Sequence, residues 1–359
     1  MPALLPDVDP DGLLEYSVVY TDRALNHMSR KFQGVMKDIS AVLKSVYRAQ
    51  AAIVVPGSGT FGMESVARQF ATDRKVLVIR NGWFSYRWSQ IFEMGRVTAE
   101  TVVLKARPVA GARVNGGPAL VFAPHVETAS GMILPDGYLR AVAAAVHEAG
   151  GLFVLDCVAS GTIWVDMEAV GVDVLISAPQ KGWSASPCCG LVMLGKQARE
   201  RIEATTSTSY SCDLRKWLQI MEAYEKGGHL YHATLPTDSL ATLRDVMKET
   251  EAYGFDKVKA EQQQLGDKVR ALLAERGFRS VAAPGFEAPG VVVSYTDDPD
   301  IHSGKKFAEL GLQTAAGVPL QCDEPADFRT FRIGLFGLEK LHHIDRTVGS
   351  LRQALDRIR

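Results

Sequence analysis

Short apolar runs alternate along this chain with longer stretches in which apolar residues recur every three or four positions. That is the pattern of strands buried on both faces and interleaved with amphipathic helices. The runs predict strands at 51–55, 76–79, 152–155 and 172–176, with others near 101, 120 and 191. Met63, Val66, Ala67 and Phe70 fall at i, i+3, i+4 and i+7 and predict a helix over 60–71, and a second helix is expected over 84–94. A third spans 136–147, with Asp136 as its cap, Leu139, Val142 and Val146 on one face, and Gly150 as its stop. Near position 251 the character changes to a long charged helix, GFDKVKAEQQQLGDKVRALLAERG, then strands at 290–295 and 329–333 and a final helix at 339–357. The expected class is α/β: an extended arm (1–30), a large domain (31–250) whose mostly parallel central sheet is flanked by helices, and a smaller α+β C-terminal domain (251–359). The connection ARPVAGARVNGGPA at 106–119 reads as a glycine- and alanine-rich loop rather than a helix.

Candidate chemistry sits where strands end. The 172–176 run leads into SAPQKGWSASP (177–187), which carries Lys181, and the 152–155 run ends in Asp156. Two strand ends thus present an amine and a carboxylate to one crevice, the pair that pyridoxal phosphate needs. The cofactor's aldehyde takes a lysine as a Schiff base, and its pyridine nitrogen withdraws electrons only while protonated, which a carboxylate secures. Upstream, VVPGSGTFGMESVARQF (54–70) reads as strand, glycine-rich turn and helix. The backbone N–H groups of Ser58, Gly59 and Thr60 and two hydroxyls there would meet a phosphate at the helix N-terminus. No lysine follows Thr60, so the motif is not a nucleotide P-loop. NGWFSYRW (81–88) adds an aromatic cluster on which a flat ring could stack. Each element alone has an ordinary reading as a loop cation, a helix cap, a tight turn or core packing; it is their order that is specific.

With these passages together, the chain resembles the class V aminotransferases of the type I pyridoxal-phosphate fold, typified by alanine–glyoxylate and serine–pyruvate aminotransferases. The resemblance runs from about His27 to Leu338 through GSGTFGMES, NGWFSYRW, HVETASG, LDCVASG, SAPQKGW, YHATLP and FRIGLFG. It implies that Lys181 carries pyridoxal 5'-phosphate and moves the substrate's α-proton, with Gln180 beside it near the phosphate. Asp156 would pair with the pyridine nitrogen, Val158 would pack under the ring and Phe84 over it, and Thr128 would bond near the phenolic oxygen. Ser58, Gly59 and Thr60 would hold the phosphate. Tyr231 and Thr234 match positions that reach the neighbouring subunit's cofactor, which makes a homodimer part of the site. Arg332 matches the arginine that takes the substrate carboxylate, a task suited to a planar, bidentate guanidinium. The implied reaction is ping-pong transamination from a small amino acid (alanine, serine or aspartate) to a 2-oxo acid such as glyoxylate or pyruvate. His125 and Glu127 read equally well as structural hydrogen-bonding groups. The arm reads LLEYSVVYTDRALNHMSRKF where relatives carry a Gly-Pro-rich stretch that helps line the substrate pocket, which leaves substrate choice open.

Composition narrows the class further. The 359 residues are 47% hydrophobic and 23% charged with a formal net charge of −1, which gives a substantial core and no electrostatic basis for binding nucleic acid or an anionic membrane. No apolar run approaches the roughly 20 residues of a membrane span, and MPALLPDVDPDG has no signal-peptide pattern, so a cytoplasmic protein is expected. Five cysteines with no CxxC, and scattered histidines of which His342 and His343 are expected to be solvent-exposed, point to neither a disulfide framework nor a metal. The alternative chemistry on the same fold is a cysteine desulfurase or other lyase, for which Cys322 is the candidate nucleophile. The surrounding GVPLQCDEPADF does not resemble the desulfurase loop, and Gln180 stands where a histidine commonly precedes the lysine.

Overall fold

The computed structural model describes residues 8–9, 11–105 and 119–358. The 106–118 connection, read above as a loop replacing a helix, lies outside the described residues. Seven strands form the main sheet in the spatial order Ala51–Pro56, Cys189–Leu194, Val174–Ser177, Leu152–Asp156, Leu120–Pro124, Lys75–Arg80, Glu100–Lys105. The last five pair in parallel, while Cys189–Leu194 runs antiparallel to both of its neighbours. Ala51–Pro56 therefore points the same way as the parallel five, and six strands end along one edge. In open α/β sheets that carboxyl edge is where ligands bind.

The unbroken apolar runs have a direct cause. Strands at 120–124, 152–156, 174–177 and 189–194 are buried at every residue because helices cover both sheet faces. At the edge, Glu100–Lys105 has no fully buried position and begins and ends on a charge, which discourages pairing with another chain. Helix Gly59–Phe70 lies so close to the sheet that a Cβ on Gly190 would stand 2.8 Å from the Gly62 Cα, so position 190 admits only glycine. Helix Trp83–Gly95 buries Trp88 against Phe92 and Phe122, with ring centroids 6.0 and 4.7 Å away.

Several boundaries differ from the sequence reading. Asp136 is the first residue of helix Asp136–Glu148 rather than its cap; Pro135 takes the cap position, and the carboxylate meets the positive end of the helix dipole. Helix Arg30–Tyr47 was not anticipated, although its signals are plain. Ser29 accepts from the Phe32 N–H, and Phe32, Val35, Met36, Ile39 and Leu43 form one buried stripe. Helix Thr237–Tyr253 was also unforeseen; Gly254, at φ 108°, separates it from the charged helix Phe255–Glu275. The expected final helix is two, Leu338–His342 and Ile344–Leu355, interrupted at His343 (φ −131°, ψ 56°). Nor is His342 solvated: it is half-buried, with its ring centroid 4.1 Å from that of Tyr253.

A second sheet has Thr330–Gly334 between Val291–Tyr295 and Ala315–Ala316, antiparallel to both. Val258, Leu265, Val269 and Leu273 of the charged helix share an apolar cluster with Val292, Phe307, Phe331 and Ile333. The seven-stranded sheet has its own, larger cluster. Among the described residues no helix is long and apolar enough to cross a membrane.

Candidate active site

The site is built outward from a buried carboxylate. Glu127, fully shielded from solvent, accepts from the N–H groups of Ser85 (2.8 Å), Phe84 (3.2 Å) and Ala129 (2.9 Å) and from the Ser85 hydroxyl (2.8 Å). It thereby caps helix Trp83–Gly95 and fixes Phe84. Gly82 packs directly on the Glu127 stem, leaving no room for a Cβ. His125 is buried close by: its Nδ1 lies 2.7 Å from the Ser160 hydroxyl, and burial lowers its pKa to about 3. Glu127→Gln keeps the volume but turns an amide N–H toward donors. The expected cost is about 2–4 kcal/mol, visible as a lower denaturation midpoint.

At the carboxyl edge of the sheet lies a cavity of about 220 Å³. Ser58, Gly59, Thr60, Phe84, Thr128, Asp156, Val158, Gln180 and Lys181 all line it, together with Arg87. Nine residues singled out in the sequence thus converge from five strand ends. The N–H groups of Gly59 and Thr60 open helix Gly59–Phe70 and have no partner within it, leaving an anion-ready end. A Cβ on Gly59 would stand 2.9 Å from Val158 Cγ2, so only glycine lets the turn close over this wall.

Lys181 is presented by its neighbours. Gly182 fits tightly against the Gly161 carbonyl, and Trp183, fully buried, packs at a tilt against Trp164 with ring centroids 4.6 Å apart, so the loop is anchored immediately after the lysine. The Lys181 amine has no hydrogen-bond or ion-pair partner among the described residues; it sits 5.9 Å from the Phe84 ring centroid and 5.5 Å from that of Phe336. Burial lowers its pKa, with Asp156 opposing and Arg332 and Arg87 assisting. Asp156 receives the Val158 N–H at 2.9 Å through one oxygen. Burial pushes this carboxyl up to about 6, against the pull of the Val158 N–H and Lys181. A cation placed at its free oxygen would restore the ordinary ionised state.

The raised pKa has a stability consequence. Between about pH 4 and 6 the folded chain keeps a proton that the unfolded chain releases, so stability falls as pH rises through that window. Asp156→Asn removes the penalty. At pH 7 the variant is expected to be more stable than the parent by on the order of 1–3 kcal/mol, read by thermal or denaturant unfolding.

Arg332 stands beyond the cavity lining but over the same aromatic ring, its Cζ 5.5 Å from the Phe84 centroid. Its Nε donates to the Ala316 carbonyl at 2.7 Å, and no carboxylate in the described residues pairs with it. Its two terminal nitrogens have no carboxylate partner among the described residues. Tyr231 and Thr234 do not reach this cavity: Tyr231 is exposed, and the two hydroxyls lie 3.2 Å from each other. Arg87 and Phe336 were missed in the sequence. Arg87 was legible as the i+3 neighbour of Phe84 on one helix face; Phe336, in FRIGLFG, had no local signal. Cys322 is buried and off the cavity, its Sγ 3.4 Å from the Arg80 carbonyl. Burial and Glu324 push its thiol up to about 11, which disfavours the thiolate that desulfuration uses.

This arrangement, a lysine and an aspartate at adjacent strand ends beneath an aromatic wall and an arginine, agrees with what the chain resembles in other proteins. A family model described as "Aminotransferase class-V" matches residues 12–307. The chain belongs to the class-V aminotransferases. It is 27% identical over 351 residues to "2-aminoethylphosphonate--pyruvate transaminase 2" of Paraburkholderia xenovorans (strain LB400), covering 94% of this chain and 90% of that protein. Identity to the "Alanine--glyoxylate aminotransferase" of Rattus norvegicus is 24%, over 93% of this chain and 82% of the relative. Among solved structures, an aspartate aminotransferase of subgroup IV from Thermus thermophilus superposes with a TM-score of 0.78 at 25% identity, covering 93% of both chains.

Proposed function

We propose that this aminotransferase uses pyridoxal 5'-phosphate to move the amino group of a small amino acid to a 2-oxo acid by a ping-pong route. The observation that carries the reading is the convergence of Lys181, Asp156 and Arg332 around Phe84. The residues fit the cofactor. A glycine-only turn with free N–H groups suits the phosphate, Asp156 is buried and uses one oxygen for the Val158 N–H, and Phe84 and Val158 supply apolar lining. When bound, the cofactor supplies an aldehyde to receive nitrogen and a protonated ring to withdraw electrons.

In this reading the chain's own residues do the rest. Ser58, Gly59, Thr60 and Gln180 hold the phosphate, and Thr128 holds the ring's oxygen edge. Asp156 keeps the ring nitrogen protonated. Lys181 Nζ, desolvated and with a lowered pKa, takes the substrate's α-proton and returns it one position away. Arg332, oriented by the Ala316 carbonyl, grips the α-carboxylate through its two terminal nitrogens and so sets the α-hydrogen toward Lys181. Alanine or aspartate as donor and pyruvate or glyoxylate as acceptor accord with the activities named for the relatives, and serine is proposed with them as a donor of similar size.

The same reading includes a homodimer in which Tyr231 and Thr234 complete the partner's phosphate site. Their distance from their own cavity and the exposure of Phe61, Leu230 and Tyr231 support it. It also divides the chain into an arm (1–30), a large domain (31–250) and a small domain (251–359), in keeping with the separate apolar clusters. Five free cysteines accord with a cytoplasmic, reducing setting. Steady-state rates with donor and acceptor varied together test the reaction type: parallel double-reciprocal lines are expected, and intersecting lines would exclude a ping-pong transfer.

A further inference from the structure

We infer that Arg87 is a phosphate-binding residue of this site, the cation that neutralises the cofactor's dianion from the helix Trp83–Gly95 side. The inference rests on the pyridoxal-phosphate reading above. Three cations surround the Phe84 ring: Arg87 Cζ at 5.3 Å, Arg332 Cζ at 5.5 Å and Lys181 Nζ at 5.9 Å from its centroid. Against them stand two carboxylates, of which Glu127 is occupied by four donors at the helix start and Asp156, lining the cavity, is the one assigned to the ring nitrogen in the reading above. The site therefore carries an excess of positive charge awaiting anionic ligands. A substrate carboxylate accounts for Arg332 alone.

Position assigns Arg87 to the other anion. Its Nη1 donates to the Thr60 hydroxyl at 3.2 Å, and it lines the cavity beside Ser58, Gly59 and Thr60. That hydroxyl, accepting from Arg87, is left to donate its own proton into the cup. The rest of the cup is neutral: backbone N–H groups, two hydroxyls and Gln180. Arg87 makes no ion pair among the described residues, so its remaining donors are open to a phosphate, for which a guanidinium fork is suited. One helical turn from Phe84, it is held by the same Glu127 cap, so the ring wall and the phosphate cation are placed by one element.

The test compares two ligands that differ only in the phosphate. Cofactor-free parent, Arg87→Gln and Arg87→Lys proteins are titrated with pyridoxal 5'-phosphate and with pyridoxal, followed by absorption. Arg87→Gln is expected to weaken pyridoxal phosphate by about 10- to 100-fold and pyridoxal by less than about twofold, with Arg87→Lys between the two. Inorganic phosphate is expected to raise the melting temperature of the parent and not that of Arg87→Gln. Equal weakening of both ligands, or none, overturns the assignment, and Arg87→Lys answers the question if the glutamine variant does not fold. A parent protein that binds neither ligand would instead overturn the cofactor reading on which the inference stands.

Discussion

Lys181→Ala is expected to leave a folded protein whose aminotransfer rate is lower by about 10²- to 10⁴-fold, the range that a positioned general base contributes. Folding survives because the lysine side chain makes no hydrogen bond or ion pair among the described residues, while Gly182 and Trp183 continue to anchor the loop. Activity does not, because among the described residues the Lys181 amine alone lies between Phe84 and Phe336, and burial has already lowered its pKa toward that of a usable base. The phosphate cup is untouched, so the variant is expected still to bind pyridoxal phosphate, without covalent attachment. Small exogenous amines should restore part of the rate, since they return a base to the vacated space. Mass spectrometry after borohydride reduction checks the attachment, and rates with and without added amine check the proton transfer.

Arg332→Gln is expected to lower kcat/KM for donor and acceptor alike by about 100- to 1,000-fold, equivalent to about 3–4 kcal/mol of carboxylate binding. Most of the loss should fall on KM, and cofactor affinity should stay within about twofold of the parent, because Arg332 lies outside the cavity lining. Arg332→Lys should recover little. The Ala316 carbonyl holds Nε at 2.7 Å so that two terminal nitrogens face outward in a plane, a geometry that an ammonium cannot reproduce. Equal loss of cofactor affinity in Arg332→Gln would place this arginine on the cofactor instead of the substrate.

How much of this was legible in the sequence follows from the range of each signal. The central strands were, because a strand covered on both faces has no polar alternation and stands out as a solid run, as at 152–156 and 174–177. The cavity residues were too, since in a parallel sheet the residues just past the strand ends share one edge. Caps and breaks were less so. Nothing local told Asp136 from Pro135 as the cap, and the interruption at His343 comes without a proline or glycine to announce it. Phe336 needed tertiary information, because it meets Lys181 only through a loop whose Ser184 hydroxyl accepts the Leu338 N–H at 2.9 Å. The aromatic cluster 83–88 held both readings at once: Trp88 is core, and Phe84 is the wall of the site.

The central claim is that this one cavity accepts nitrogen from an amino acid and passes it on. Its most direct test is a half-reaction: purified protein loaded with pyridoxal phosphate is mixed with alanine, serine or aspartate in the absence of any oxo acid. The visible absorption of the bound cofactor should shift with release of one equivalent of the matching 2-oxo acid per site, and pyruvate or glyoxylate should then reverse the shift. A spectrum that stays unchanged with every donor, or one that changes only with cysteine while sulfide is released, would contradict it.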